Sequence, residues 1–369
     1  MKLQFRTPEE FLAAKIVVSD VQHFTSSSAP ISCYDPVGRR ILTPYHASRT
    51  GYGEQASVFA LSEIPIPDIG AATNYVLLES DVEYQGRKYN WPVDASAIFR
   101  NGLARVFFLA DGTRYFYFDW SPEKRQMVSG ISPVLAQFES NAPEPLTSAL
   151  FDRYLRAHGC DGYHLAGDVR EQVISVAKPA WDGEVFYGAL TSSLAQPALF
   201  RCTDGQTFEL LSIIPALAKY ECQIAVLNGM IYALLRGTSR DNFWVAKTGD
   251  WQFRPCGRLP LAETRPQLMA YLGRILLAYS QDDVQPNRIR NGRNNVTMLY
   301  GEGPDLSQYQ EVFHAVDEWG FVYYDIVNCD GELYVIWSNS ERFPDKIVRG
   351  CLQGKDTLYC SRLTNFTHA

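Results

Sequence analysis

The chain has 369 residues, 46% of them hydrophobic and 20% charged, with a formal net charge of −7. That length allows one large domain or two or three ordinary ones with ample core, and the acidic balance argues against nucleic acid or an anionic membrane surface as partner. Aromatic residues make up 13% of the chain, a bias that favours strands and surfaces that stack on flat or sugar-like ligands.

Along the chain, no apolar window of about 18 residues occurs, so no membrane-spanning helix is expected. The start, MKLQFRTPEEFLAAKIVV, carries acidic residues where a signal peptide needs an apolar run. The chain as it stands therefore reads as cytoplasmic, and as secreted or periplasmic if a leader has been removed. The first element is a short helix at 7–16, with Thr7 as N-cap and Glu10 three residues on. YDPVGRRILTPY around Gly38 reads as a hairpin, and the TPYHASRTGYGE that overlaps its end carries His46, Arg49 and Glu54. AIFRNGLARVFFL around Gly102 is a second hairpin, and EPLTSALFDRYLRAHG (144–159) is a second helix ending at a glycine. HGCDGYH (158–164) brings His158, Cys160 and His164 together at a spacing that matches no common metal site. The eight cysteines include no CxxC pair and read as buried or idle thiols rather than a disulfide framework. No metal or cofactor is expected. Four further hairpins follow: PAWDGEVFYGAL around Gly183, IAVLNGMIYALL around Gly229, MAYLGRILLAYS around Gly273 and IVNCDGELYVIWS around Gly331.

An Asn-Gly or Asp-Gly between apolar runs is a strong hairpin signal, because a type I′ turn needs positive φ at both central residues. From Gly38 to Gly331 the hairpins recur at about 59 residues per unit, room for a four-stranded blade. Blades repeated around an axis make a β-propeller. The expected fold is thus all-β, a six-bladed β-propeller over 1–369 in which the 144–159 helix is an insertion between blades. Two β-domains are the alternative.

Glu221 and Arg236 stand just before and just after the Gly229 hairpin, and Arg265, in ETRPQL, precedes the next inner strand. RCTDGQTFELL (201–211) resembles the Asp-box, Ser-x-Asp-x-Gly-x-Thr-Trp, and AKTGDWQFRPC (246–256) and GEGPDLSQYQEV (301–312) are degraded forms of the same turn. With the charges that flank the Gly229 hairpin, residues 198–340 resemble the sialidase (neuraminidase)-like superfamily of six-bladed glycoside hydrolases. The resemblance matches Glu221 and Arg236 to that family's Glu before and Arg after a hairpin. It maps Arg293, in GRNNVTMLYGEGPDLSQY, onto the arginine before an Asp-box strand. Tyr323, in WGFVYYDIVNCDGELYVIWSNSE, maps onto the tyrosine before the last hairpin, or Tyr324 if the register slips by one. Glu54 maps onto the general acid.

The implied chemistry is coherent. A carboxylate nucleophile would be repelled by an acidic sugar's own carboxylate, whereas a tyrosine is neutral until a base takes its proton. The resemblance makes Tyr323 the nucleophile, Glu221 its base and Glu54 the acid for the leaving oxygen. Arg236 and Arg293 would grip the substrate carboxylate. The match breaks in blade 1, where SSSAPISCYDP has no arginine in place of the family's Arg-Ile-Pro. Losing that contact is worth about 1.5–3 kcal/mol of binding if nothing replaces it. His46 and Arg49, near Glu54, are a further candidate pair, since a histidine there can bond a sugar hydroxyl or move a proton; Arg265 is a further ligand contact. The expected function is removal of a terminal acidic sugar from a glycan, so the partner is carbohydrate. The alternatives are a lyase on uronate-containing glycans and a non-catalytic glycan-binding propeller.

Overall fold

The computed structural model describes residues 2–28, 30–49, 57–79, 81–90, 93–139, 141–160, 174–176, 178–237, 242–260, 264–280, 294–317, 320–348 and 351–367. The six glycine turns organise it. At the fourth, Asn228 and Gly229 take φ of 51° and 71°, the left-handed pair that a two-residue hairpin requires. Val226 then faces Ile231, and Leu227 faces Met230. At the first turn the left-handed residue is Arg39, at φ 47°, rather than Gly38. Each of the six turns joins the first and second strands of one blade.

The chain is a six-bladed β-propeller. Blade 1 is built from Cys33–Asp35, Arg40–Ser48, Ser57–Pro65 and Thr73–Leu78. Blade 2 has Val93–Arg100, Leu103–Ala110 and Arg114–Ser121, edged by two short strands. Blade 3 begins with the two short strands Ile174–Val176 and Ala180–Trp181 and continues through Phe186–Ala195, Ala198–Cys202 and Thr207–Ile213. Blade 4 is Ala218–Leu227, Met230–Gly237, Phe243–Lys247 and Arg254–Gly257. Blade 5 is Gln267–Tyr271, Arg274–Tyr279, Asn295–Gly301 and Gln310–Val316. Blade 6 is Tyr323–Cys329, Glu332–Val348 and Cys351–Arg362, completed by Ile16–Val17 from the start of the chain. That last pairing closes the ring. Ser26–Ser28 adds to the closure by pairing with Arg40–Ser48 and meeting Asp356.

Alternation of side chains along each strand explains how six blades share their apolar surface. In blade 4, Cys222 and Ile224 enter the core against blade 3, while Ala225 enters the core against blade 5. In blade 6, Ile326 packs toward blade 5 and Val327 toward blade 1. The same division gives one buried cluster at each of the six blade interfaces. The helix Ser148–Ala157 contributes Leu150, Phe151, Tyr154 and Leu155 to the cluster between blades 2 and 3.

Two sequence-based boundaries change. The first helix has the expected capping box, Thr7 with Glu10, but spans only Pro8–Ala13. Ile16, read as the helix end, instead begins the strand Ile16–Val17, because the open edge of blade 6 at Tyr359 and Cys360 takes up its backbone bonds. The second helix starts at Ser148 with Thr147 as N-cap, and Glu144–Pro145 before it is a short strand.

One polar contact crosses the ring. Asp325, fully buried on the first strand of blade 6, accepts bonds from Lys178 Nζ at 3.0 and 3.1 Å and from the Ser32 N–H at 2.6 Å. Lys178 lies between the two short first strands of blade 3 and Ser32 leads into blade 1, so one carboxylate ties three blades. Removing one member of a buried pair strands the other charge, at about 3–5 kcal/mol. Asp325→Ala should lose that much stability in urea unfolding, and Lys178→Met/Asp325→Leu should lose clearly less. Equal losses in both variants would show that the charge pairing is not what matters.

Candidate active site

Every first strand starts at one end of the ring and finishes at its glycine turn, so the ring has a turn end and an opposite, entry end. Glu221 lies near the beginning of its strand and Arg236 near the end of the next, which puts both at the entry end. Tyr323 begins the first strand of blade 6, and Arg265 stands two residues before that of blade 5. His46 is near the end of the second strand of blade 1, also at the entry end.

Glu221 and Arg236 form an ion pair, Nη1 to Oε2 at 2.5 Å, with both side chains less than a tenth exposed. They share the strand faces that carry Ala225 and Leu234 into the core against blade 5, so the pair lies on the blade 5 side of blade 4. Arg265 is 2% exposed. Its guanidinium lies 5.4 Å from the centre of the Tyr323 ring, and its Nη2 donates to the Pro30 carbonyl at 2.6 Å. A cation from blade 5 thus crosses the start of blade 6 to reach the Pro30-Ile31 segment of blade 1, the stretch that lacks an arginine of its own.

The two tyrosines differ. Tyr323 is partly exposed, and its backbone N–H takes the Ser338 hydroxyl as acceptor at 3.1 Å. Tyr324 is fully buried in the core between blades 5 and 6. Burial pushes its hydroxyl above the ordinary phenol range; the Glu221 carboxylate adds to this, while the Ser280 hydroxyl and the Arg265 guanidinium oppose it. The carboxylate of Glu221 is therefore within electrostatic reach of Tyr324, although its hydrogen bond among the described residues goes to Arg236.

Arg49 is not brought to this group. It is half exposed, pairs with Glu79 at 3.1 Å and lies over Phe24, on the outer part of blade 1. His46 is 6% exposed, on the strand face that takes Leu42 into the core against blade 2. Glu54 and Arg293 lie outside the described residues. His158 Nδ1 donates to the Tyr154 carbonyl at 2.9 Å, His164 lies outside the described residues, and no metal-binding cluster of His, Cys, Asp and Glu occurs among those described. The three Asp-bearing turns all join third to fourth strands, in blades 3, 4 and 5. In each, an aspartate oxygen accepts from a backbone N–H two residues on: Asp204 from Gln206, Asp250 from Gln252 and Asp305 from Ser307. Lys178 and Asp325 escaped the sequence reading, although an acidic residue inside the apolar strand YYDIVNC was a visible signal. A cavity of about 680 Å³ lies on the axis at the turn end, away from this polar group.

As a sequence, the chain matches no family model and no curated protein. As a structure, it is similar to a mutant of Trypanosoma rangeli sialidase displaying trans-sialidase activity, with a TM-score of 0.56 and 10% identity over 97% of this chain and 58% of that one. It is similar to T. rangeli sialidase in complex with the inhibitor DANA at a TM-score of 0.55 and 9% identity, with the same coverage. The chain thus spans a little over half the length of those sialidases. The likeness establishes the fold, a six-bladed β-propeller.

Burial lowers the His46 pKa from 6.5 to about 4. Above pH 6.5 the ring is neutral in folded and unfolded chains alike and contributes nothing to pH dependence. As pH falls from 6.5 to 4 the unfolded chain alone takes the proton, so stability is lost across that window, by about 3 kcal/mol in all. Denaturant unfolding at a series of pH values should show this loss in the parent and a flatter curve in His46→Gln. Parallel curves would refute the assignment.

Proposed function

We propose that the chain is a glycoside hydrolase whose site lies at the entry end of the ring and which removes a terminal acidic sugar from a glycan. The observation that carries this reading is the convergence of side chains from separate blades at one end: the Glu221–Arg236 pair of blade 4, and Arg265 of blade 5 stacked on Tyr323 of blade 6. The fold supports it, since the structurally similar T. rangeli sialidase is also known in complex with sialic acid.

Of the two tyrosines, Tyr323 suits a nucleophile better. A phenol attacks only once its proton is gone, and full burial holds that proton on Tyr324. Tyr323 is partly exposed, with the Arg265 guanidinium 5.4 Å from its ring centre. Glu221 is the base in this reading, delivered once substrate draws Arg236 to its own carboxylate; Glu54 and Arg293 would complete the set as acid and second cation. The substrate is carbohydrate, and the two buried guanidinium groups at the entry end suit an acidic sugar.

A second reading has its own observation. Glu221 is already matched by Arg236, and Arg265 is almost wholly buried, as in a propeller whose entry end only binds or braces. Incubation with a panel of acidic and neutral glycans separates the two. Release of an acidic monosaccharide is expected, with Tyr323→Phe slowing it by about 1000-fold or more at unchanged melting temperature. Arg236→Lys should raise KM for the acidic substrate well beyond that for a neutral one. An unsaturated product would instead indicate elimination, and binding without release would leave a glycan-binding propeller.

A further inference from the structure

The turn end of the ring is chemically unlike the entry end. The axial cavity of about 680 Å³ is lined by first strands of all six blades, with Cys33, Phe99, Ala180, Val226, Ala270 and Val327 one from each. Its volume falls within the range of small-molecule sites, about 300–1,000 Å³. Its lining is mostly apolar, and the polar groups deepest in it are engaged. Lys178, at its inner end, gives its bonds to Asp325 and to the Ile326 carbonyl at 3.1 Å. Gln267 Nε2 donates to the Tyr324 carbonyl at 2.9 Å, and the Tyr34 hydroxyl to Asp330 at 2.6 Å. Among the described residues of the lining, no buried side-chain polar atom lacks a partner. A charged ligand would therefore lose its hydration inside, where Lys178 is already matched by Asp325; the lining's other cation, Arg100, is exposed at the rim and donates to the Thr203 carbonyl at 2.6 Å.

The surface around this end repeats the theme. Val37, Leu272 and Trp181 are the most exposed large apolar residues among those described, at 89%, 55% and 53%. All three belong to glycine-turn hairpins at the turn end, in blades 1, 5 and 3. Trp181 also lines the cavity and packs on Phe186 with ring centres 4.5 Å apart. Water in such a space has few partners and is displaced favourably by apolar groups. Asn101 and Asn328, toward the turns, are neutral polar groups placed to meet a ligand's wetter end.

We propose that the turn-end cavity is a second binding site, for a neutral, predominantly apolar small molecule bearing a flat ring system. It is independent of the reaction at the entry end. Lys178, held by Asp325 behind it, forms part of its floor, and Trp181 supplies a stacking face at its mouth.

The test uses the full chain and two fluorescent probes, neutral N-phenyl-1-naphthylamine and its charged relative 1-anilinonaphthalene-8-sulfonate. The neutral probe should bind saturably at one site per chain, with the anionic probe at least about tenfold weaker. Ala270→Trp and Val226→Trp, which fill the cavity from two blades, should each weaken the neutral probe by about tenfold or more, Trp181→Ala should weaken it less, and Glu221→Gln should leave it unchanged. Melting curves followed by circular dichroism identify any variant that fails to fold, and either filling variant suffices. Absence of saturable binding, equal binding of the two probes, or unchanged affinity in a folded filling variant would each overturn the proposal.

Discussion

The axis of this propeller is closed by one carboxylate. Asp325 is fully buried, and a buried charge persists only where its bonding capacity is met. Lys178 and the Ser32 N–H meet it from blades 3 and 1, so the charge is neutralised only when three separated blades are in place. The pair thereby couples local folding of each blade to correct assembly of the ring. It also divides the axis, with polar side chains gathered on one side and apolar ones on the other.

The two ends follow from strand direction. First strands begin where chain crosses from blade to blade, and those longer crossings can present charged side chains. They finish at tight turns, which have fewer residues than the crossings and so carry fewer functional groups. The entry end accordingly holds Glu221, Arg236, Arg265 and Tyr323. The turn end holds the apolar cavity and its exposed rim. Blade 6 accentuates the asymmetry: its second strand runs on beyond Ser338, the partner of Tyr323, and stays paired through Val348 and Cys351.

The electrostatics at the entry end turn on shared cations. Arg236 is committed to Glu221, while Arg265 serves both the Tyr323 ring and the Pro30 carbonyl. Each guanidinium is buried enough for its charge to act strongly on neighbours. The contrast between neighbouring tyrosines illustrates this: alternate faces of one strand send Tyr324 into a core and leave Tyr323 beside a cation.

What the amino-acid sequence determined by itself was the repeat. A left-handed turn is dictated by its own two or three residues, so Asn228-Gly229 and its five counterparts could be recognised without knowing what surrounds them. The Thr7–Glu10 capping box was legible for the same reason, and the meeting of Glu221 with Arg236 follows from a single hairpin. Only the tertiary structure decided the rest. Lys178 meets Asp325 across 147 positions and Arg265 meets Pro30 across 235, contacts that exist only once the ring is closed. Ring closure likewise made strand of Ile16–Val17, because an open edge in blade 6 needed their backbone groups. It left Arg49 outside the group at the entry end, because Glu79 on the outer part of its own blade offers the nearer charge. Turn chemistry is a property of neighbours in sequence, whereas the partners of a buried charge are set by which blades come to face one another.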